Sequence, residues 1–280
     1  SDNGLDHFPV LGGNLGQSMT WTQAGGTTYV VQGLTVNDAA TLTIESGVVV
    51  KFDAWAGLSV SGGLQVEGTA GEEVYFTSLQ DDSVGGDTNG DGDATIPARG
   101  DWYNIYIGSP IPASRDYAVV RYGGMWGYLQ MQVSGVDSVL LIDHTTVAQS
   151  GGVGLRVEYG AVLTVTDSLI EDNNSQGIAA YSAAAATVLS NTIQHNDSDG
   201  VVASWDTLTV TIEHNLISDN GGTGITAGDY AVIVGNTIYN NGANGIELRP
   251  HEGVVMPTVS ANTIVSNTQY ALFVNYDGGA

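Results

Sequence analysis

Short runs of alternating apolar and polar residues recur along the chain and predict short β-strands. Leu163-Thr164-Val165 and Val210-Thr211-Ile212 are typical. Because successive side chains of a strand point to opposite faces, each such run buries one face and exposes the other. Long helical periods are absent from the sequence, so the pattern predicts an all-β protein.

The runs belong to a repeat of roughly 23 residues. The motif Asn-x-Ile-x-x-Asn occurs four times between residues 191 and 267, and two looser copies precede it. Steps between its apolar positions are roughly 23, 23, 24, 21 and 26 residues. A repeat of this length is typical of a solenoid. The aligned apolar positions are Val147, Ile170, Ile193, Ile217, Ile238 and Ile264.

Stacked turns explain why both residue types recur. Turns paired as parallel strands lie about 4.8 Å apart, so equivalent side chains form columns. An asparagine column can pass amide hydrogen bonds from turn to turn, each contributing about 1 kcal/mol net. The predicted fold is a single right-handed parallel β-helix of about 10–12 turns. The predicted amide ladder is Asn173, Asn196, Asn220, Asn241 and Asn267.

A glycine precedes one apolar residue in each of five repeats. We expect these glycines to form tight corners in the left-handed backbone region, which only glycine adopts at low cost. They are Gly154, Gly177, Gly200, Gly224 and Gly245.

These repeats resemble the right-handed parallel β-helix repeats of the pectin-lyase-like superfamily. The ladder motif carries the resemblance over about residues 115–277. Segments such as Gly33–Val36 and Gly63–Glu67 resemble the leading turns of large bacterial surface proteins. The superfamily includes lyases, hydrolases, epimerases and non-catalytic stalks, so the resemblance implies a fold and leaves the activity open.

The repeat predicts one domain over residues 1–280. We expect residues 1–20 to cap the first turn and residues 79–101 to form an inserted acidic loop. The exposed edge after the last repeat would need another subunit or a continuing chain to cover it.

Composition and charge exclude several classes of partner. The 280 residues include 30 acidic and 6 basic side chains, for a net charge of −24, and no cysteine. This charge repels phosphates, so nucleic acid and anionic membranes are not expected as partners. No apolar run is long enough to span a membrane, so membrane insertion is not expected either.

The inserted loop resembles a calcium-binding loop. Asp87, Asn89 and Asp91 occupy alternate positions in a D-x-N-x-D-G pattern, and Asp93 could add its carbonyl. Oxygen ligands at alternate positions can converge on one hard cation. The twelfth position is Ala98 where such loops have glutamate, so further ligands would have to come from elsewhere, such as Asp81, Asp82 or Asp101. The predicted ion is a structural calcium, and the alternative is a solvated acidic turn.

Catalytic candidates are few. Asp206 and Asp229 lie on adjacent repeats and could form the carboxylate pair of a glycoside hydrolase. Residues 249–252, Arg-Pro-His-Glu, resemble the Asp-Pro-His-Glu motif of alginate epimerases, with Arg249 in place of the acid. Chance pairing of frequent acidic residues explains the first feature better than catalysis does, and an ordinary turn extension around His251 explains the second better. No catalytic residue is therefore assigned.

Aromatic residues near the ends of successive strands suggest a binding face. Flat rings beside polar groups suit stacking against sugars, although aromatics at strand ends also cover sheet corners without binding anything. The predicted substrate-binding file is Tyr159, Tyr181, Trp205, Tyr230 and Tyr276.

Together these features predict an extracellular or cell-surface module. We expect it to be non-catalytic, stabilised by calcium, and to bind polysaccharide or neighbouring domains of a surface assembly. The alternative is a polysaccharide-active lyase, hydrolase or epimerase on the same scaffold.

Overall fold

The computed structural model is a right-handed parallel β-helix of about eleven turns. It describes residues 7–10, 12–23, 26, 28–92, 94–182, 184–204, 207, 209–251 and 254–276. Each turn contributes up to three short strands. The predicted fold is confirmed.

Turns one to four are built from the first twelve strands. These are β1 (His7–Val10), β2 (Gly13–Leu15), β3 (Met19–Trp21), β4 (Thr28–Val31), β5 (Leu34–Val36), β6 (Thr41–Glu45), β7 (Val49–Phe52), β8 (Leu58–Val60), β9 (Gly63–Glu67), β10 (Val74–Ser78), β11 (Ile105–Ile107) and β12 (Ala113–Asp116).

Turns five to seven follow, with a short 3-10 helix at Met125–Gly127 before the second strand of turn five. Their strands are β13 (Ala118–Arg121), β14 (Leu129–Ser134), β15 (Val139–Asp143), β16 (Thr146–Ala148), β17 (Val153–Glu158), β18 (Val162–Thr166), β19 (Leu169–Glu171), β20 (Ile178–Ala180) and β21 (Ala185–Leu189).

The remaining turns carry the clearest repeats. Their strands are β22 (Thr192–Gln194), β23 (Val201–Ala203), β24 (Thr209–Glu213), β25 (Leu216–Ser218), β26 (Ile225–Ala227), β27 (Val232–Val234), β28 (Thr237–Tyr239), β29 (Ile246–Leu248), β30 (Thr258–Ser260), β31 (Thr263–Val265) and β32 (Leu272–Val274).

Every third strand belongs to the same sheet. Sheet A runs from β1 through β4 to β31, sheet B from β2 through β5 to β32, and sheet C from β3 through β6 to β30. Neighbouring strands of each sheet pair in parallel and in register, as Ile193 with Ile217 and Ile217 with Ile238. The isoleucine column therefore lies in sheet A, and those three side chains are fully buried.

Two asparagine ladders flank this column, where the sequence analysis predicted one. In the predicted ladder, the Asn196 Nδ2 donates to Asn220 Oδ1 at 2.9 Å. In the second, Asn191 Nδ2 donates to Asn215 Oδ1 at 3.0 Å, and Asn215 repeats the bond to Asn236. The second ladder uses the first asparagine of the same motif, so asparagines flank the sheet A strands β22, β25, β28 and β31 at both ends.

The expected reason for the glycine column is wrong. Gly177, Gly200 and Gly224 do not have positive φ. A Cβ added to Gly177 would lie 2.8 Å from the carbonyl oxygen of Gly200 and 2.9 Å from the ladder amide of Asn196. Close approach of the backbone in the next turn, together with the ladder, therefore requires glycine here.

The segment expected to cap the first turn contains that turn's strands. β1 and β2 pair with β4 and β5, and Met19 of β3 pairs with Leu42. The inserted loop leaves the stack after β10 and returns before β11. Its last residues include Trp102, which is fully buried and stacks on Phe52 at a centroid distance of 4.3 Å.

One continuous hydrophobic core runs along the inside of the three sheets. Valine, isoleucine and leucine dominate it, since their side chains fill the narrow interior between strands that twist little. Among the described residues, no helix has the length and apolar character needed to cross a membrane.

Candidate functional site

The outward face of sheet B forms a groove along the solenoid. One outward residue per turn lies in register, running from Thr35 through Ser59 and Tyr106 to Arg156, and on to Thr226 and Glu247. Two cavities occupy this face, with volumes of about 510 Å³ towards the N-terminal turns and about 240 Å³ towards the C-terminal turns.

The C-terminal cavity is lined by charged and hydrogen-bonding side chains. Asp199 accepts hydrogen bonds from the Thr223 backbone N–H and the Thr226 hydroxyl, both at 2.8 Å. Across the cavity, the Arg249 Nε donates to Glu247 Oε1 at 2.7 Å. Carboxylates held in this way can accept hydrogen bonds from sugar hydroxyls. The lining residues include Gln176, Tyr181, Asp199, Val202, Ser204, Thr226 and Arg249.

Tyr181 is the predicted aromatic residue that reaches this cavity. It follows β20 directly, and the Arg156 guanidinium lies 5.2 Å from the centroid of its ring. Burial raises the pKa of the Tyr181 hydroxyl, which therefore stays protonated at neutral pH. A protonated phenol can donate a proton or a hydrogen bond to a bound sugar.

A histidine–aspartate pair follows two residues of this cavity in the chain: Asp229 comes directly after Gly228, and His251 comes two residues after Arg249. His251 Nδ1 is 2.8 Å from the Asp229 carboxylate, which also accepts the His251 backbone N–H at 2.9 Å. Asp229 is 4% exposed and His251 is 41% exposed. A buried carboxylate on Nδ1 favours the tautomer with a proton there, and so makes Nε2 the basic nitrogen. The sequence motif pointed to His251, but only the folding of adjacent turns shows its partner.

The other predicted tyrosines do not form one file with Tyr181. Tyr181 aligns with Glu158 of the preceding turn, since its backbone N–H donates to Val157. Tyr159 lies one position further along its turn and aligns with Ser182. Tyr159, Tyr230 and Tyr276 are exposed, and Trp205 lies outside the described residues, as does Asp206.

The inserted loop brings three carboxylates together. Ligand oxygens of Asp82, Asp87 and Asp91 lie within 4.8 Å of one another. Asn89 instead makes hydrogen bonds within the loop, donating to Thr95 Oγ1 at 3.0 Å and accepting from the Asp91 N–H at 3.4 Å. Asp93 lies outside the described residues. Asp82 precedes the loop motif and is one of the further ligands that the sequence suggested.

Lys51 approaches this cluster from the solenoid wall. Its fully buried amine lies 3.8 Å from Asp82 Oδ1 and donates to the Gly86 carbonyl. Burial lowers the pKa of Lys51, whereas the neighbouring carboxylates raise it. Backbone N–H groups of Gly92 and its neighbours lower the pKa of Asp87. The Asp87 carboxylate therefore stays anionic at neutral pH.

Fold and groove together define a β-helix with a long polar groove on one sheet. The sequence profile described as right handed beta helix region matches residues 133–280. The match covers more than half of the 280-residue chain. The chain belongs to this right-handed β-helix family, and the predicted resemblance is confirmed.

Solved structures of similar shape include alginate epimerases. The A-module of the mannuronan C-5 epimerase AlgE4 from Azotobacter vinelandii matches with a TM-score of 0.52 and 14% identity, over 91% of this chain and 92% of that one. The periplasmic alginate epimerase AlgG matches with a TM-score of 0.51 and 10% identity, over 96% and 85%.

A point mutant of AlgG aligns with 90% of this chain at 12% identity and a TM-score of 0.48, and this chain spans 65% of its length. At these identities the likeness shows the fold alone. Comparison with curated protein sequences gives no match.

Proposed function

We propose that this protein is a polysaccharide-active enzyme whose glycan lies along the sheet B groove. The observation that carries the proposal is the His251–Asp229 pair beside a cavity lined by Tyr181, Asp199 and Arg249. The fold shared with two polysaccharide epimerases supports it. We prefer this proposal to the non-catalytic module that the sequence favoured. The sequence showed no positioned acid–base group, whereas Asp229 contacts His251 in the structure.

In this proposal His251 is the general base. Asp229 orients its ring and stabilises the charged imidazole that forms when Nε2 accepts a proton from the sugar. Tyr181, kept protonated by burial, lies three turns before Arg249 in the same register and would donate a hydrogen bond to the glycan. Arg249 binds a hydroxyl or carboxyl group of the glycan, and Asp199 accepts a hydrogen bond from a hydroxyl group. Together they fix the sugar relative to the histidine.

The test uses the intact protein with a panel of acidic and neutral polysaccharides in the presence of calcium. Reducing ends, unsaturated products and changes in sugar configuration are followed by colorimetry, absorbance and NMR. We expect His251→Ala to lower turnover by about 10²–10⁴-fold, since the general base is lost. Asp229→Asn should lower it less, because the histidine remains.

The matched control is His195→Ala, an exposed histidine in the turn after a sheet A strand. It should retain full activity. Product formation that persists unchanged in His251→Ala would contradict the assignment of the base. If no polysaccharide in the panel gives any product while binding is measurable, the protein is a binding module.

A non-catalytic glycan-binding module is the second candidate, and one observation favours it. Both arginines of the C-terminal groove pair with carboxylates two residues away: Arg156 with Glu158 at 2.6 Å and Arg249 with Glu247 at 2.7 Å. Such internal pairing reduces the charge available to polarise a substrate, while leaving hydrogen-bonding groups for binding.

We also propose that the inserted loop binds a structural calcium ion. Asp87 and Asp91 of the predicted set would hold it together with Asp82, since hard cations prefer several carboxylate oxygens. The ion would act on the loop, which lies apart from the His251–Asp229 pair in the fold, and no catalytic step involves it.

A location outside the cytoplasm agrees with both proposals, and one similar protein, AlgG, is periplasmic by name. Immunodetection in intact and in lysed cells of the source organism would test it. Detection only after lysis, in the cytoplasmic fraction, would contradict it.

A further inference from the structure

Four exposed aromatic residues cluster where turns three to five pass from sheet A to sheet B. Trp55 follows β7, Tyr103 precedes β11, and Trp126 and Tyr128 precede β14. We call these four residues the aromatic platform. The loops that carry it stack through backbone hydrogen bonds, with the Tyr103 N–H donating to Ala56 at 2.8 Å and the Gly124 N–H donating to Tyr103 at 2.9 Å.

The rings contact each other in pairs without being buried. Trp55 and Trp126 meet edge to face, with centroids 4.4 Å apart and planes at 69°. Their exposed fractions are 63% and 66%. Tyr103 and Tyr128 form a second edge-on pair at 5.9 Å. Such contacts hold the rings in fixed orientations while their other faces remain open to solvent.

Backbone conformation does not by itself mark these tryptophans. Trp55 has φ 71° and Trp126 has φ 58°, but Tyr159 and other turn residues of the described chain also have positive φ. The platform is distinguished by its paired rings, which contact each other and remain exposed.

The platform adjoins the larger cavity of the groove. Tyr103 belongs to both, and Gly57, two residues after Trp55, also lines the cavity. The polar lining groups are hydroxyls and amides, including Thr35, Ser59 and Gln132, and no lining residue is charged. This differs from the C-terminal cavity, which contains Asp199 and Arg249.

We infer that the aromatic platform and its cavity form a binding site for uncharged sugar units of a polysaccharide. The apolar face of a sugar ring stacks on the exposed indoles, and the cavity hydroxyls and amides bind its hydroxyl groups. A net charge of −24 disfavours a polyanion at a site without cationic side chains. The inference concerns binding alone and does not require catalysis at His251.

The test measures binding of hexasaccharides of β-1,4-linked glucose, xylose or mannose, and of oligogalacturonate, by calorimetry and tryptophan fluorescence. We expect at least one neutral hexasaccharide to bind more tightly than the oligogalacturonate. Trp55→Ala and Trp126→Ala should each weaken its binding by about tenfold or more, because each removes a stacking face. His195→Ala, at an exposed position outside both cavities, should leave this affinity unchanged.

Tyr159→Ala and Tyr276→Ala are the matched controls, because these exposed rings belong to the file predicted from sequence. They should bind as the unmodified protein does. Bound sugar should also shield the tryptophans of the unmodified protein from quenching by acrylamide. This fluorescence measurement is a second test and needs no variant. Preferential binding of oligogalacturonate, equal loss in the control variants, or no binding of any neutral hexasaccharide would overturn the inference.

Discussion

At the scale of single residues, the least expected feature is a buried arginine. Arg115 of β12 points into the core between Val66 and Ile142, and its side chain is fully buried. No described residue accepts a hydrogen bond from its guanidinium nitrogens. Its contact with the Phe76 ring, at 5.7 Å, offsets only part of the desolvation. Burial lowers the pKa of Arg115 to about 9.

We predict that Arg115→Met increases the free energy of unfolding near neutral pH by about 1–4 kcal/mol, because an unpaired buried charge is removed. The pKa of Arg115 is lower in the folded protein than in the unfolded chain, so the charged guanidinium destabilises the folded protein at pH values below about 9. This destabilisation decreases as the pH rises above about 9, because the folded protein then loses the proton. The gain from methionine should therefore decrease above that pH. Urea unfolding of both proteins at neutral pH and above pH about 9 measures this gain. A variant that is less stable than the unmodified protein at neutral pH would contradict the prediction.

The asparagine ladders also act residue by residue. Asn220 donates to Asn241 and to the Ile193 carbonyl, and accepts from both the backbone and the side chain of Asn196. Every one of these groups is buried. Removing this one side chain therefore leaves several buried polar groups without partners.

We predict that Asn220→Ala lowers the free energy of unfolding by on the order of 3 kcal/mol, since each orphaned group costs about 1–3 kcal/mol. The matched variant Asn267→Ala, in the more exposed last turn, should lose about 1 kcal/mol or less because water replaces the amide. Denaturant unfolding of both variants tests this. Equal losses would show that ladder hydrogen bonds do not determine the difference.

At the scale of elements, the inserted loop is fastened to the solenoid near both ends. Arg121 contacts Asp81 at 2.6 Å, and Ser78 donates to Asp101 at 2.7 Å. Arg99 reaches four turns further along the stack and pairs with Asp197, after β22, at 3.2 Å. The middle of the loop, from Asp87 to Asp91, contains two of the three carboxylates that would hold the proposed calcium ion.

We predict that removing calcium with a chelator lowers the melting temperature and speeds proteolysis within residues 82–93. A ligand at about 100 times its dissociation constant stabilises a folded protein by about 2.7 kcal/mol. Asp91→Asn should abolish the calcium response, whereas Asp38→Asn, at an exposed position elsewhere, should retain it. A melting temperature that is the same with calcium and with chelator would rule the ion out.

The arrangement of strands and loops explains which parts of the candidate site could be predicted from the sequence. The repeat predicted the strands of sheet B, and so predicted that Tyr181 and Arg249 lie on one face. It did not predict that Tyr181 and Tyr159 occupy different positions of their turns, because the turns differ in length and conformation. The aromatic platform was missed because its residues lie in loops of unequal length, where no periodic signal aligns them.

At the scale of the whole molecule, the groove runs parallel to the solenoid axis. Its two cavities lie on the same outward face and differ in charge, with the uncharged one over the early turns and the charged one over the late turns. A linear polysaccharide has the shape to occupy both at once. The proposed catalytic pair and the proposed sugar site would then hold different units of one chain.

The sequence by itself determined the architecture, because a solenoid places residues one repeat apart in contact and so converts periodicity directly into tertiary structure. The columns around Ile217 and Asn220 follow from that. The partners of groups outside the period became known from the three-dimensional structure: Asp229 contacts His251, and Trp55 contacts Trp126. Their contacts depend on the conformation of individual turns and loops. The repeat specifies only what is common to all turns, so it does not predict these contacts.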